Sequence, residues 1–183
     1  IIPAGIVGVL FDDWLNDHLY NYVTVAVALI VYGVAFIVIE KIRKGKTPRV
    51  DSVDRLDYKT ALGVGCFQTL SLIPGTSRSG STILGAMILG MSREAAAEFS
   101  FFMAIPVMLG ASLLKMLKFG FSFTSSELTV LIVGVLTAFV VSVAAIKFLT
   151  GFIKKHSFAV FGWYRVILGA IVLGVFIFSK VSA

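Results

Sequence analysis

The chain has one cysteine, two histidines and four prolines among 183 residues. Cys66 stands alone, so no disulfide within the chain and no cysteine-based metal site can form. By itself it reads as a small, buried apolar residue. His18 and His156 fall in polar stretches far apart in sequence, and both read as solvated. Charge is scarce too: 16 basic against 10 acidic residues give a net charge of +6. The cations cluster at segment ends and form no continuous basic face, which argues against a nucleic-acid partner. There is no tandem repeat, no low-complexity tract and no heptad run.

What fills the chain is hydrocarbon. Hydrophobic residues make up 58% of it, and its mean hydropathy is +0.97. A soluble domain is about half apolar at most. The composition therefore indicates an all-α polytopic integral membrane protein, with residues 1–183 as one membrane domain. Ile1 to Leu10 opens midway through an apolar run, as expected for the end of a truncated helix. Asp12, Asp13, Asn16, Asp17 and His18 then make an acidic, wet stretch.

Four segments, 22–42, 95–117, 128–149 and 161–178, are long enough to span, since ~20 apolar residues cross a ~30 Å core. Glu40, Lys41, Arg43, Lys44, Lys46 and Arg49 mark the loop after the first as cytoplasmic. Residues 58–90 are too long for one span and too interrupted for two. Irregular backbone at membrane depth survives only where protein buries it or it lines a watery cavity. A re-entrant helix–loop–helix over 58–90 meets that condition. It also places Arg93, Lys154, Lys155 and His156 on the cytoplasmic side; Lys115 and Lys118 fit this arrangement poorly. Gly33, Gly110 and Gly134 read as positions where spans pack closely.

At the centre of 58–90 lies the string Pro74-Gly75-Thr76-Ser77-Arg78-Ser79-Gly80-Ser81-Thr82, flanked by Leu72-Ile73 and Ile83-Leu84. Arginine at that depth costs ~2.5–3.5 kcal/mol on translocon scales, so it points to function. A half-helix starting near Gly80 offers unpaired amides and the positive end of its dipole, a ready phosphate cradle. Ser77, Ser79, Ser81 and Thr82 add hydroxyls, and the Arg78 guanidinium matches phosphate oxygens bidentately. Pro74-Gly75 turns the chain, and Gly80 lets a ligand approach the backbone. The string grazes the nucleotide P-loop pattern. However, Ser81 stands where the lysine belongs, and no strand–turn–helix setting surrounds it. A blander reading has the hydroxyls capping two half-helices and Arg78 neutralising a buried carboxylate.

The run Leu72-Ile-Pro-Gly-Thr-Ser-Arg-Ser-Gly-Ser-Thr82, with Gly63 and Gln68 before it and Ala97-Glu-Phe-Ser-Phe-Phe-Met-Ala-Ile-Pro106 after it, closely resembles the undecaprenyl-diphosphatase family of BacA type. The resemblance runs from Ile2-Pro3-Ala4 to Tyr164-Arg165. It implies a bacterial inner-membrane enzyme hydrolysing a C55 isoprenoid diphosphate to its monophosphate, recycling the carrier lipid for peptidoglycan synthesis. It further implies two inverted repeats, each with a re-entrant loop, and an active site open to the periplasm. A homodimer is compatible with it. Arg78 matches the family's essential arginine, Ser77 the serine before it, and Thr82 the threonine closing the signature. Gly75, Thr76, Ser79, Gly80 and Ser81 would complete the phosphate site. The family's Glu-x-x-x-Glu pair and histidine motif have no match in residues 1–57. The ligands for a Mg²⁺ or Ca²⁺ are therefore expected upstream of Ile1, and this piece alone is expected to be inactive.

Whether Ser77 is a nucleophile or a donor stays open, because no base lies near it in sequence. The Ser-Arg-x₅-His ending of lipid phosphate phosphatases has no counterpart here. Phe99, Phe101 and Phe102 are candidates for contact with an isoprenoid tail, or plain packing residues. Arg165 could pair with Glu98 or snorkel. Arg93 and Glu94 read as an exposed helix-start pair. Asp51, Asp54 and Asp57 solvate the basic loop, Asp57 as a helix cap. The rival function is a transporter or flippase for a phosphorylated lipid, since transporters also aim broken helices at anions.

Overall fold

The computed structural model describes residues 1–120 and 123–181. The described residues form seven α-helices: α1 (Ile2–Leu19), α2 (Tyr22–Arg43), α3 (Tyr58–Thr69), α4 (Arg78–Ile88), α5 (Arg93–Phe119), α6 (Ser125–Lys155) and α7 (Ala159–Val181). The protein is an all-α polytopic membrane protein: α2, α5, α6 and α7 are each long and apolar enough to cross a bilayer. The 22 residues of α2 reach about 33 Å. The 12 of α3 and 11 of α4 reach only about 18 and 17 Å, short of a ~30 Å hydrocarbon core.

Polar side chains start these helices where the sequence supplies them. Asn21 accepts from the Thr24 amide, Asp57 from Thr60, Ser77 from Gly80 and Ser92 from Ala95. Thr124 and Glu127 form a reciprocal capping box on α6. The first helix does not end at Leu10. It continues through the acidic stretch to Leu19, because nothing after Gly8 breaks it, and the Trp14 ring stacks on His18 at 4.8 Å.

Small residues bring α2 and α7 together antiparallel. A Cβ placed on Gly33 would lie 2.7 Å from the Gly162 carbonyl oxygen, and one on Gly162 2.6 Å from the Gly33 oxygen. One turn pair along, a Cβ on Gly169 would lie 2.8 Å from the Ala26 oxygen. Further on, the Tyr22 and Phe176 rings meet at 4.1 Å. Seven residues forward on α7 match seven back on α2, so one seam joins the two backbones. Gly110 and Gly134, by contrast, face open space. They are not packing positions in this structure, because the second half of α5 and nearly all of α6 are exposed. Cys66 likewise is exposed rather than buried.

α3 and α4 pack against each other with Gly85 beneath the Phe67 ring and Gly63 against Leu89. The segments before α3 and after α4 are bonded to each other at one end of α4. The Arg49 amide donates to the Gly90 carbonyl (2.8 Å), and the Ser92 amide donates to the Val50 carbonyl (2.8 Å). Arg43 Nη2 adds a third bond, to the Gly90 oxygen at 3.0 Å.

At that same end Glu40 is only 6% exposed. Arg93 Nε donates to both its oxygens at 2.8 and 3.0 Å, Arg93 Nη2 also binds it, and the Phe158 amide donates to Oε1 at 2.8 Å. One carboxylate thus ties the end of α2 to the starts of α5 and α7. Arg93 is not half of an exposed pair with Glu94. Its partner lies 53 positions earlier, inside a run that reads as a solvated loop.

Two outcomes follow for stability. Gly162→Leu must part α2 from α7 and should cost about 1–3 kcal/mol or more, whereas Gly134→Ala, which meets no neighbour, should hold or slightly raise the thermal midpoint in detergent. Asp57, held below the ordinary carboxylate range chiefly by hydrogen bonds from the Thr60 amide and hydroxyl and less by Arg49, governs an acid limb. A depressed folded pKa adds stability above the unfolded value of ~3.9, and that stability is lost as pH falls through the lower folded value. Melting curves between pH 5 and 3 should therefore fall less steeply for Asp57→Asn than for the parent.

Candidate functional site

The polar string forms the turn between α3 and α4 and the first turns of α4. Gly75 sits at φ +93°, and a Cβ on it would lie 2.5 Å from the Val25 carbonyl oxygen, so the turn rests on the backbone of α2. Only glycine suits that conformation and that contact. The next special position is Ser77, at φ +65°, the one non-glycine residue with positive φ among the described residues. Such backbone persists where surrounding structure holds it, and it collects at functional sites. Ser77 caps α4 with Oγ accepting from the Gly80 amide at 3.3 Å, so its hydroxyl hydrogen is free to donate outward.

The hydroxyls divide into two groups. Thr76 is 1% exposed and turned inward, its hydroxyl shared by the Leu70 (3.0 Å) and Ile73 (2.8 Å) carbonyls. Ser81 donates to the Tyr32 hydroxyl of α2 at 3.2 Å. Thr82 bonds back to the Arg78 and Ser79 carbonyls and meets Ser100 Oγ of α5 at 2.7 Å. These three hold the turn and α4 in place. Ser77 and Ser79 are the hydroxyls left over, and Ser79 Oγ has no partner among the described residues. The amides split the same way: those of Gly80 and Ser81 bond to Ser77, leaving those of Arg78 and Ser79 unpaired. The unpaired amides therefore lie two residues earlier than a helix starting at Gly80 predicts.

Arg78, half-buried, rests one guanidinium nitrogen on the Ser100 carbonyl at 3.4 Å. It makes no ion pair with a carboxylate among the described residues, so the reading in which it neutralises a buried acid is not what the structure contains. Ser100, fully buried, both braces Arg78 and ties Thr82. It lies within the 97–106 stretch that carries the family resemblance, yet its role is not readable from residue type.

A second arginine completes the arrangement. Arg165 of α7 donates from Nη1 to the Thr76 carbonyl at 2.9 Å and the Gly75 carbonyl at 3.5 Å. A Cβ on Gly80 would lie 3.1 Å from its Nη2. Glu98 is not its partner, and Arg165 does not snorkel away. The signal for it was burial cost: Arg165 lies just inside an apolar span. A side chain at Gly80 would make the second guanidinium give way by a few tenths of an ångström. Two arginines, two free amides and two free hydroxyls converge on one turn, a donor set suited to a multiply charged anion.

That set does not suit a divalent cation, which wants oxygen ligands with negative charge. No group of three or more His, Cys, Asp or Glu side chains converges anywhere among the described residues. Beside the turn, an apolar groove of about 360 Å³ runs along Val23, Val27 and Val31 of α2 and ends at Tyr32, Ile73 and Thr76. Phe101 and Phe102 line a different groove, between α5 and α6. Gln68, buried in α3, keeps Oε1 unpartnered.

The description "Bacitracin resistance protein BacA" belongs to the family model that matches residues 1–171. The chain is 60% identical over 173 residues to an undecaprenyl-diphosphatase of Desulfitobacterium hafniense, covering 94% of this chain and 62% of that protein. An undecaprenyl-diphosphatase of Enterococcus faecalis is 59% identical over 172 residues, covering 94% and 62%. One of Acetivibrio thermocellus is 58% identical over 172 residues, covering 94% and 63%. The chain thus spans just under two thirds of the length of these curated relatives. With nearly all of its residues matched by the family model and such identity to named members, the chain belongs to the BacA bacitracin resistance protein family.

Proposed function

We propose that this chain supplies the phosphate-binding half of an undecaprenyl-diphosphate phosphatase, which releases inorganic phosphate and leaves the lipid monophosphate. The observation that carries the reading is the convergence of Arg78, Arg165 and the free Arg78 and Ser79 amides on one turn. The names of the relatives favour hydrolysis over transport. The overall change breaks one P–O bond of the anhydride and places a water oxygen on the terminal phosphorus. Catalysis of such a transfer is mostly positioning and neutralisation of charge on the transferring group. Arg78 takes the terminal phosphate, with Ser79 Oγ and the two amides. Arg165 keeps Gly75 and Thr76 in place and adds positive charge behind them. Ser77 is a hydrogen-bond donor to the phosphate, because its hydroxyl meets only the Gly80 amide among the described residues and a nucleophilic serine needs an adjacent base. A divalent cation belongs to this reading only through groups outside the present residues, and no step here depends on one.

The α3–α4 pair is re-entrant in this reading, supported by the bonds that join its two ends. The cations gathered at that end point it to the cytoplasm. The turn then faces the periplasm of a bacterial inner membrane, where the released monophosphate can be recycled for peptidoglycan synthesis. The isoprenoid tail lies in the valine groove of α2, which ends at Tyr32 and Thr76.

The test uses protein of the relatives' full length and phosphate release from undecaprenyl diphosphate. Arg78→Ala should lower kcat by about 100-fold or more, the loss typical of one preorganised charge donor. Unchanged release by that variant would remove the site assignment, and movement of intact lipid without release would replace hydrolysis by transport. Val27→Trp should raise KM several-fold for the long-chain substrate and leave kcat within about twofold. A short-chain isoprenoid diphosphate should be affected less.

A further inference from the structure

A cavity lies at the other end of α4 from Arg78, about 14 Å along the helix axis at Met87. It encloses about 690 Å³ between the ends of α2, α5 and α6 and the loop after α2. Its floor is apolar, made of the buried Met87, Met91 and Ile153. Its rim carries Arg43, Lys44, Lys46, Arg93 and Lys154 against only Asp51 and Glu94. The charges do not cancel. Arg93 is taken by Glu40, and Asp51 by Arg55. That leaves Arg43 and three lysines without an acidic partner among the described residues, facing one exposed glutamate. The start of the 27-residue α5 opens beside Ser92, where the amides of Arg93 and Glu94 have no acceptor.

Location specifies the ligand. Arg43, Lys44 and Lys46 come from the run after α2, and α6 brings Lys154 to the same rim from more than 100 positions away, so that run alone does not account for the cluster. They stand where three membrane-length helices end, at the level of the lipid head groups. A cationic rim over an apolar floor at that level matches a phosphate joined to hydrocarbon. We propose that this cavity binds a phosphate group, carried by an anionic phospholipid of the bilayer, with the phosphate among Lys44, Lys46, Lys154 and the α5 amides and the acyl region over Met87 and Met91. The site is separate from the Arg78 turn and rests only on the chain spanning the membrane, so its failure would leave the phosphatase reading untouched.

The experiment reconstitutes full-length protein in phosphatidylcholine nanodiscs with or without phosphatidylglycerol and counts retained phosphatidylglycerol by native mass spectrometry. The triple variant Lys44→Gln, Lys46→Gln, Lys154→Gln should retain at least tenfold less. The corresponding Lys→Arg triple should retain the parent level, and Lys115→Gln with Lys118→Gln at the opposite end should change nothing. Lys46→Glu alone, in an exposed loop, carries the same test if the triple variant loses helicity. Inorganic phosphate titrated into phosphatidylcholine discs separates the two sources. Binding of phosphate there, abolished by the Gln triple, would assign a soluble anion in place of the lipid. Retention of phosphatidylglycerol by both the Gln triple and Lys46→Glu would overturn the proposal. So would an equal loss in the Lys115 and Lys118 variant.

Discussion

A chain that breaks its helix inside an apolar bundle frees carbonyls that have neither helical partners nor water. The rest of this structure depends on how they are satisfied. Thr76 bends its own hydroxyl back to the Leu70 and Ile73 carbonyls, and Arg165 reaches across from α7 to those of Gly75 and Thr76. At the far end of α4, the Arg49 amide and the Arg43 guanidinium both close on the Gly90 carbonyl. Each solution recruits a different element, so the break becomes the point where α2, α4, α5 and α7 meet.

The chemistry grows out of this same requirement. A donor spent on the turn cannot also bind a ligand, and the structure largely separates the two duties. Thr76, Ser81 and Thr82 face inward and are spent on architecture, while Ser77, Arg78 and Ser79 keep donors to spare. Arg165 serves both ends, holding carbonyls with one nitrogen while its second nitrogen lies beside Gly80. Both guanidinium groups rest on backbone carbonyls, and donors held in this way need little reorganisation when charge arrives. The positive φ of Ser77 falls at the same turn, where backbone of this kind persists only because its surroundings hold it.

At the opposite end a single buried carboxylate does comparable work. Glu40 accepts from Arg93 and from the Phe158 amide, so the starts of two long helices are set against the end of a third. This registers α7 on α2, and the register brings Gly162 to Gly33 and Arg165 to Gly80. A clasp some distance from the turn therefore places the second guanidinium. It also gathers the surrounding cations around one cavity, leaving them unneutralised.

Composition and spacing alone determined the membrane class, the four long helices, the too-short pair between them and the polar turn with Arg78 at its mouth. Each follows from local physics: apolar run length, charge at segment ends, and the cost of arginine in hydrocarbon. The signature around Arg78 carried the family likeness for the same reason, since its residues are contiguous. What only tertiary structure decided is which groups at that turn remain free, and which distant residues join them. Ser81 and Ser79 are indistinguishable as letters, yet one is bonded to Tyr32 and the other is open. Arg165, Ser100 and Glu40 act through partners dozens of positions away. Gly110 and Gly134 look like Gly33 but face open space. Sequence reports what a residue can donate or accept; packing decides whether something else has already taken it.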